Sequence, residues 1–200
     1  ETFTFTSNEL SEERIVNIYL PIDYDDNSTK EYTVIYLLDG SADEDFIHIA
    51  GLVQFGTFPW INMLPESIVV GIANVDRKRD FTYPTNNAED KAAFPTTGGS
   101  AAFMDFLEKE LQPLIQDTYR TVDTTTIIGQ SLGGLLATEI LFKRPALFDN
   151  YLIVSPSLWW DDESLLDYSP NLSSVTGKIY VAVGQEGRTM KRVARSLVKK

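Results

Sequence analysis

Residues 126–136 read Thr126-Ile127-Ile128-Gly129-Gln130-Ser131-Leu132-Gly133-Gly134-Leu135-Leu136. The β-branched run at 124–128 predicts a strand, because such side chains pack well on a pleated surface. Apolar residues at helical spacing over 135–141 predict a helix directly after it. A Gly-x-Ser-x-Gly motif between a strand and a helix is typical of a nucleophile elbow, with Ser131 at its tip. The same motif in an isolated turn would be a chance match, so the flanking strand and helix decide the interpretation.

The glycines around Ser131 have a steric reason. A serine at the tip of a sharp strand-to-helix turn takes a strained backbone conformation, so its neighbours must lack bulk. Gly129 and Gly133 allow the turn to close, and Gly134 lets the helix approach the strand. The N–H groups at the start of that helix point to where an oxyanion would form. The sequence therefore predicts that Ser131 is a nucleophile.

An oxyanion hole at such an elbow combines two backbone N–H groups. One belongs to the residue after the nucleophile, here Leu132, and the other to the loop after the third strand. That loop is Asp39-Gly40-Ser41. We expect the N–H of Gly40 or of Ser41 to face the site, and the residues alone do not choose between them. An ordinary strand-ending turn is the alternative interpretation of Asp39-Gly40.

The base and the acid of a serine site are harder to find. In hydrolases with this elbow the acid and then the histidine follow the serine along the chain. The single histidine, His48, precedes Ser131. We expect His48 to be structural or to line the pocket, not to act as the base. For the acid, Glu186 follows a predicted strand, and Asp161-Asp162 follow the preceding one. A solvated acidic turn is the alternative for Glu186 and the favoured interpretation of Asp161-Asp162.

The composition narrows the class of protein. The 200 residues are 43% hydrophobic and 12% aromatic, which suits one folded domain spanning residues 1–200. The net charge of −12 argues against a nucleic-acid partner. Cysteine is absent, and no apolar run approaches the roughly 18 residues of a membrane span. The chain begins at Glu1, so we expect an upstream segment to have been removed and favour a periplasmic or secreted location over a cytoplasmic one.

The order of elements predicts the fold class. Strands are expected at residues 2–6, 14–20, 33–38, 67–73, 124–128, 151–155 and 178–183, and helices at 46–53, 100–115, 135–141 and 190–198. We expect a turn at 23–27, a long functional loop at 74–99, a cap by Ser100 and a kink or early helix end at Pro113. Several strands are apolar on both faces. Alternating strands and helices of this kind indicate an α/β sandwich with a mostly parallel sheet.

Motifs along almost the whole chain resemble one family. They lie at residues 14–21, 36–40, 70–72, 79–82, 98–99, 119–120 and 129–134, and in Ser155-Pro156-Ser157-Leu158-Trp159-Trp160. The last motif is the most specific, because Ser-Pro-Ser-x-Trp-Trp after a buried strand has little general structural reason to occur. The chain resembles the putative-esterase branch of the α/β-hydrolases, which includes ferri-enterochelin-type esterases and S-formylglutathione-hydrolase-like proteins.

The resemblance implies a three-layer α/β-hydrolase sandwich and a serine esterase. Such enzymes use a serine, an acid and a C-terminal histidine, with no metal or organic cofactor. Ser131 corresponds to the nucleophile, and Glu186 corresponds less clearly to the acid. The family's catalytic histidine, last strand and closing helix have no counterpart here. Because Lys200 ends the chain inside an amphipathic helix, we expect a C-terminally incomplete domain, a histidine beyond Lys200 and little activity from these 200 residues.

Two hypotheses about function remain from the sequence. The first is a serine ester hydrolase that forms an acyl-enzyme on Ser131 and acts on a small-molecule ester. Candidate substrate-binding residues are Asp39, His48, Arg79 with its neighbours Arg77 and Lys78, Trp159 and Trp160. The basic and aromatic residues would suit an anionic or aromatic ester, or they are a surface charge cluster and packing aromatics. An iron-chelate trilactone, a feruloyl or acetyl sugar ester and a simple acyl ester all remain open. The second hypothesis is a non-catalytic binding or scaffold protein on the same fold. In either case an unpaired last strand allows a homodimer.

Overall fold

One sheet organises the protein. The computed structural model describes residues 1–24 and 29–200. Their seven strands are β1 (Thr2–Ser7), β2 (Glu12–Tyr19), β3 (Tyr32–Leu37), β4 (Ser67–Ile72), β5 (Thr121–Gln130), β6 (Asn150–Val154) and β7 (Ile179–Ala182). They lie in the order β1-β2-β4-β3-β5-β6-β7. β2 runs antiparallel to both β1 and β4, and the remaining pairs are parallel. The predicted mostly parallel sheet is confirmed.

The central strands bury both of their faces. In β3, Val34 and Tyr36 belong to the larger apolar cluster, whereas Ile35 and Leu37 belong to a smaller cluster on the opposite face. This alternation follows from the two-residue period of a strand. Because both faces are covered, the strand reads as a nearly continuous apolar run, as is typical of parallel sheets between helices.

Helices cover the two faces unequally. They are α1 (Phe46–Thr57), α2 (Arg77–Asp80), α3 (Ala88–Ala93), α4 (Ser100–Phe106), α5 (Gln112–Thr118), α6 (Leu132–Lys143) and α7 (Arg188–Leu197). Val53 of α1 packs in the smaller cluster, whereas α4, α5, α6 and α7 contribute Phe103, Ile115, Leu135 and Val193 to the larger one. The result is a three-layer sandwich. None of these helices is both long enough and apolar enough to cross a bilayer, within the residues described.

Three local predictions differ from the structure. Ser100 is the first residue of α4 and not its cap: Gly99 holds the cap position, and the buried Ser100 hydroxyl has no partner among the described residues. The stretch 74–99 is not a plain loop, since α2 and α3 lie within it. Pro113 does not end its helix, because a π-helical turn (Leu107–Leu111) precedes it and the chain stays helical to Thr118. The predicted turn at 23–27 lies partly outside the described residues.

The strand order determines where a site can form. β3, β5, β6 and β7 are parallel neighbours, so their carboxyl ends meet at one edge of the sheet. The segments that follow them are 38–45, the turn at Ser131, 155–159 and 183–187. Ligands of open α/β sheets bind beyond the carboxyl ends of the strands. The candidate nucleophile and the candidate acid therefore emerge at the same edge.

Candidate active site

Ser131 occupies the strained turn between β5 and α6. Its backbone angles are φ 56° and ψ −117°, a region that side-chain-bearing residues rarely adopt. Two hydrogen bonds to the end of β6 and the segment after it hold the turn. The Ser131 N–H donates to the Val154 carbonyl at 3.0 Å, and the Ser157 N–H donates to the Ser131 carbonyl at 3.0 Å. The geometry is that of the predicted nucleophile elbow.

Gly129 must be a glycine because the backbone of α6 passes too close to it for a side chain. A Cβ added there would lie 2.3 Å from the Gly133 carbonyl oxygen, a contact that no real side chain makes. The strand and the helix therefore cross with no room for a methyl group. Relief would require moving α6 away from β5, which would displace the Ser131 turn.

We expect Gly129→Ala to destabilise the fold, and Gly51→Ala provides the matched control. Overpacking at a backbone crossing should lower the free energy of unfolding by about 2 kcal/mol or more. Gly51 lies in α1, and a methyl group added to it would have nothing within 4 Å. Since alanine is the better helix former, Gly51→Ala should raise stability by about 0.5–1 kcal/mol. Urea unfolding measures both, and equal effects of the two substitutions would contradict this account of the elbow.

The Asp39-Gly40-Ser41 loop lies beside the elbow, and its central residue, Gly40, is tied to β4 and β2 by two hydrogen bonds. The Gly40 N–H donates to the Ile72 carbonyl at 2.9 Å, and Asn17 Nδ2 donates to the Gly40 carbonyl at 2.9 Å. The Gly40 N–H is therefore already used, and the structure removes it from the oxyanion candidates. The N–H groups of Ser41 and Leu132 differ from it, because within the described residues neither has an acceptor.

Asp39 and Arg77 form an ion pair at the mouth of the site. Arg77 Nε donates to Asp39 Oδ1 at 2.5 Å, and Arg77 Nη2 donates to Asp39 Oδ2 at 2.8 Å. Hydrogen bonding to Asp39 raises the pKa of the Arg77 guanidinium. A cavity of about 330 Å³ opens here, lined by Asp39, Glu44, Asp45, Arg77, Gln130 and Ser131. The lining carries three acids and one arginine, so the cavity is predominantly acidic.

Arg79 does not line this cavity. Its guanidinium pairs with Glu12 and with the buried carboxylate of Asp80, and Asp80 also accepts a hydrogen bond from the fully buried Arg14 at 2.8 Å. The hydrogen bond from Arg79 lowers the pKa of Glu12. Because its charge is already satisfied in this network, Arg79 lacks a free donor face toward Ser131. Lys78 likewise points elsewhere, with Nζ donating to the Ala93 carbonyl at 3.2 Å.

Glu186 lies at the predicted edge, in the exposed segment between β7 and α7. Its Oε1 accepts hydrogen bonds from the Ser155 hydroxyl and from the Gly184 N–H, the latter at 3.2 Å. Ser157 lies two residues after Ser155 and places its Oγ 3.3 Å from Ser131 Oγ. The segment 155–157 therefore contacts both the candidate acid and the nucleophile. Whether Glu186 orients a base stays a prediction.

Asp161 and Asp162 hold a loop in place. Asp161 Oδ1 accepts from Thr85 Oγ1 and from the Asn86 N–H, both at 2.7 Å, and Asp162 Oδ1 accepts from Asn87 Nδ2 at 2.9 Å. Burial alone would raise the pKa of Asp161. Hydrogen bonds from Ser164, Thr85 and Asn86 outweigh that effect and lower it. These contacts give both carboxylates a structural role.

The two tryptophans have different environments. Trp160 is fully buried, and its Nε1 donates to the Tyr83 carbonyl at 3.0 Å. The prediction that Trp160 binds substrate is therefore wrong: the side chain is part of the core. Trp159 is half-buried and packs against Phe94 with ring centroids 6.3 Å apart, so part of it remains accessible.

His48 lies in the first turn of α1, exposed to solvent, and it is not among the residues lining the Ser131 cavity. The structure therefore gives no support to His48 as a pocket residue or as a base. Sequence reasoning missed Ser157 and Asn17, which touch the nucleophile and the Gly40 carbonyl. The Ser-Pro-Ser-x-Trp-Trp motif was a signal for Ser157, and Asn17 lies within the family-like motif at 14–21, which gave no reason to single it out.

Comparison with known proteins gives a consistent result. The family model described as Putative esterase matches residues 7–197. The ferri-bacillibactin esterase BesA of Bacillus subtilis is 33% identical over 161 residues, covering 74% of this chain and 55% of the relative. The siderophore triacetylfusarinine C esterase of Aspergillus fumigatus is 28% identical over 180 residues, covering 81% of this chain and 57% of the relative. The chain thus spans a little over half the length of these relatives.

Solved structures agree with the sequence relatives. The BES protein from Bacillus cereus superimposes with a TM-score of 0.82 at 28% identity, covering 100% of this chain and 79% of the other. An IroE-like serine hydrolase from Shewanella oneidensis gives a TM-score of 0.76 at 28% identity, covering 100% and 78%. The similarity extends over every layer of the sandwich.

Proposed function

Because the chain belongs to the Putative esterase family, we propose that it carries the nucleophile and the oxyanion hole of a serine ester hydrolase. The observation that carries this proposal is Ser131 at φ 56° in a strand-turn-helix elbow, together with the N–H groups of Leu132 and Ser41, which have no acceptor in the described part of the chain. A serine held in this way exposes its hydroxyl, and N–H groups aimed at a carbonyl oxygen stabilise the charge that develops there.

The reaction proceeds in two steps through an acyl-enzyme. Ser131 Oγ bonds to the ester carbonyl carbon while a base takes the hydroxyl proton, and the oxyanion accepts hydrogen bonds from Ser41 and Leu132. The bond to the alcohol oxygen then breaks, and the base returns the proton to the leaving alcohol. Water attacks the acyl-enzyme in the same manner and releases the acid. No metal or organic cofactor takes part in this proposal.

The base of the proposed reaction is a histidine other than His48. The motivation is the position of His48 on the solvent side of α1, outside the cavity lining. A histidine beyond Lys200 remains our prediction, with Glu186 as the acid that orients it and stabilises its cation. The hydrogen bonds that Glu186 accepts from Ser155 and Gly184 support this role, since they fix its carboxylate near the segment that touches Ser131.

The proposed substrate is a siderophore ester. The two sequence relatives described above are named as a ferri-bacillibactin esterase and a siderophore triacetylfusarinine C esterase. The open cavity beside Ser131 is compatible with a bulky substrate that stays largely outside the protein. A periplasmic or secreted location would suit such a substrate and is part of the proposal.

A substrate panel tests this choice. With imidazole added as the base, we expect a cyclic siderophore trilactone to be opened faster than a feruloyl ester, an acetylated sugar or p-nitrophenyl acetate. Mass spectrometry of the linear products measures the cleavage, and the Ser131→Ala chain gives the background. Preference for one of the other esters would replace the siderophore assignment. Binding of the trilactone without cleavage of any ester would favour a scaffold protein.

We also propose that the chain self-associates through β7, one of the two outer strands of the sheet. In the described part of the chain β7 pairs with β6 alone, and Ile179 and Tyr180 are 39% and 60% exposed. An unpaired edge with apolar side chains can pair with a second copy. Sedimentation velocity at rising protein concentration should show a dimer that Tyr180→Lys disperses. Trp60→Lys, which alters an exposed aromatic on another surface, should leave it intact. A monomer at every concentration would contradict the proposal.

A further inference from the structure

The Arg77 guanidinium contacts both loops of the candidate oxyanion hole. Its Nε and Nη2 donate to the two carboxylate oxygens of Asp39, at 2.5 and 2.8 Å, and Nη2 also donates to the Gln130 carbonyl at 3.4 Å. Asp39 begins the segment that leads to the Ser41 N–H, and Gln130 directly precedes Ser131. One side chain therefore links the carboxylate of Asp39 to the backbone carbonyl that directly precedes Ser131.

Both bridged segments carry backbone strain. Asp39 has φ 55° and Ser131 has φ 56°, and neither is a glycine. A non-glycine residue in such a conformation costs on the order of 1–3 kcal/mol and persists only where its surroundings hold it. Ser131 is held by its bonds to residues of the 154–157 segment. Asp39 is held through its side chain by Arg77 and by Asn74 Nδ2, which donates to Asp39 Oδ1 at 2.8 Å, and through its carbonyl, which accepts from the Asp45 N–H at 3.2 Å.

The helix that carries Arg77 is anchored independently of the site. α2 ends in Asp80, whose buried carboxylate pairs with the fully buried Arg14 at 2.8 Å. At the other end of α2, Asp76 caps the helix by accepting from the Arg79 N–H at 3.0 Å. Positioning residues are effective when they stand on a rigid element. Arg77 therefore contacts the two loops from a helix that is itself held in place.

Arg77 is poorly suited to hold a substrate anion. Both oxygens of Asp39 face its fork, so the pair is locally neutral, and Glu44 and Asp45 line the same cavity. An anion entering there would meet more acids than bases. The planar fork instead fits the carboxylate of Asp39 in two places, which a lysine ammonium does not reproduce.

Building on the esterase function proposed above, we propose that Arg77 is a positioning residue for the oxyanion hole. It clamps the Asp39-Gly40-Ser41 loop to the elbow and so fixes the separation between the Ser41 and Leu132 N–H groups. Without the clamp the Asp39 strain relaxes, the Ser41 N–H moves away, and the hole loses one of its two donors. The effect falls on the tetrahedral state and not on the bound ester.

Binding of an alkylboronic acid reports on the hole without needing a base in the chain. Ser131 Oγ adds to the trigonal boron as its O–H proton is released, which gives a tetrahedral boronate anion in the hole. Removing a single oxyanion donor costs about 10²–10³ in rate, so a displaced donor should weaken boronate binding about tenfold or more in Arg77→Met. Lys78→Met is the control, since Lys78 is on the same helix but donates to Ala93. Calorimetry should find that Lys78→Met binds the boronic acid with an affinity within about twofold of that of the parent chain.

A second measurement separates positioning from anion binding. With imidazole as the base, Arg77→Met should lower kcat by a similar factor for neutral p-nitrophenyl butyrate and for the monoanionic p-nitrophenyl hemisuccinate, with KM nearly unchanged. Loss confined to the KM of the anionic ester would overturn the proposal in favour of substrate binding. A purely structural role would lower the melting temperature but not the boronate affinity of the folded fraction.

The outcomes distinguish failure of the esterase site from failure of the Arg77 inference alone. Boronic acid that does not bind Ser131 in the parent chain overturns the esterase site and Arg77 together. Binding that is normal in the parent chain and within about twofold in Arg77→Met overturns the Arg77 inference alone. Should Arg77→Met not fold, Arg77→Lys carries the test. It keeps the charge opposite Asp39 without the fork, so we expect weaker boronate binding by about fivefold, and unchanged binding would overturn the inference.

Discussion

Ser131→Ala is expected to abolish imidazole-promoted ester hydrolysis by this chain. Free imidazole can take the Ser131 proton in place of a histidine, because the elbow is formed and the N–H groups of Ser41 and Leu132 have no acceptor among the described residues. Imidazole should therefore raise the rate of p-nitrophenyl butyrate cleavage well above its own reaction in solution. In Ser131→Ala only the solution reaction should remain. Without imidazole the parent chain should be slow, since the oxyanion hole and binding alone supply about 10³–10⁴ over water.

Ser173→Ala is the matched control, because Ser173 is an exposed serine on the 168–178 segment away from the cavity lining. It should behave as the parent chain does. Two results would contradict the account in different ways. Turnover that survives Ser131→Ala would place the nucleophile elsewhere. Rapid turnover without imidazole that Ser131→Ala removes would place a base within the 200 residues, and His48→Asn would then be the next variant to measure.

Glu186→Gln should have the second-largest effect, measured in a form of the protein that includes the catalytic histidine. The amide keeps the size of the carboxylate but cannot stabilise an imidazolium, so we expect kcat to fall by about 10²–10⁴. The folded structure should persist, because Glu186 is exposed and its contacts with Ser155 and Gly184 are local.

Asp161→Asn is the comparison for that measurement. In Asp161→Asn the amide oxygen can still accept from Thr85 and Asn86, but the amide nitrogen no longer accepts from the Ser164 hydroxyl, so the change should cost about 1 kcal/mol of stability with little change in kcat. If Asp161→Asn proves crippling while Glu186→Gln is silent, the acid comes from the segment after β6 and our assignment is wrong.

The elbow could be predicted from sequence because its causes are local. A β-branched run, glycines on either side of Ser131 and an apolar helical pattern all lie within a few residues, and the turn cannot close in another way. The parallel sheet followed for a similar reason, since each buried strand is marked by its own composition. The mostly parallel three-layer architecture was therefore accessible from the sequence.

The details that sequence reasoning missed depend on distant partners. On sequence alone Gly40 is an open oxyanion candidate, but its N–H donates to Ile72 on the adjacent strand. Arg77 and Arg79 lie on one short helix and point to different carboxylates, Asp39 for the first and Glu12 for the second. A side-chain direction on a four-residue helix is set by such contacts, and no local pattern encodes it. The burial of Trp160 also depends on a distant partner, because its Nε1 donates to the Tyr83 carbonyl.

Mass spectrometry of the chain after treatment with a fluorophosphonate in imidazole buffer tests the central claim most directly. Attack by Ser131 Oγ breaks the P–F bond, passes the hydroxyl proton to imidazole and leaves a stable phosphonyl ester on the serine. The account predicts one adduct per chain, located on the peptide that contains Ser131 and absent from Ser131→Ala. An adduct on any other residue, or a parent chain that remains unlabelled while imidazole is present, would contradict it.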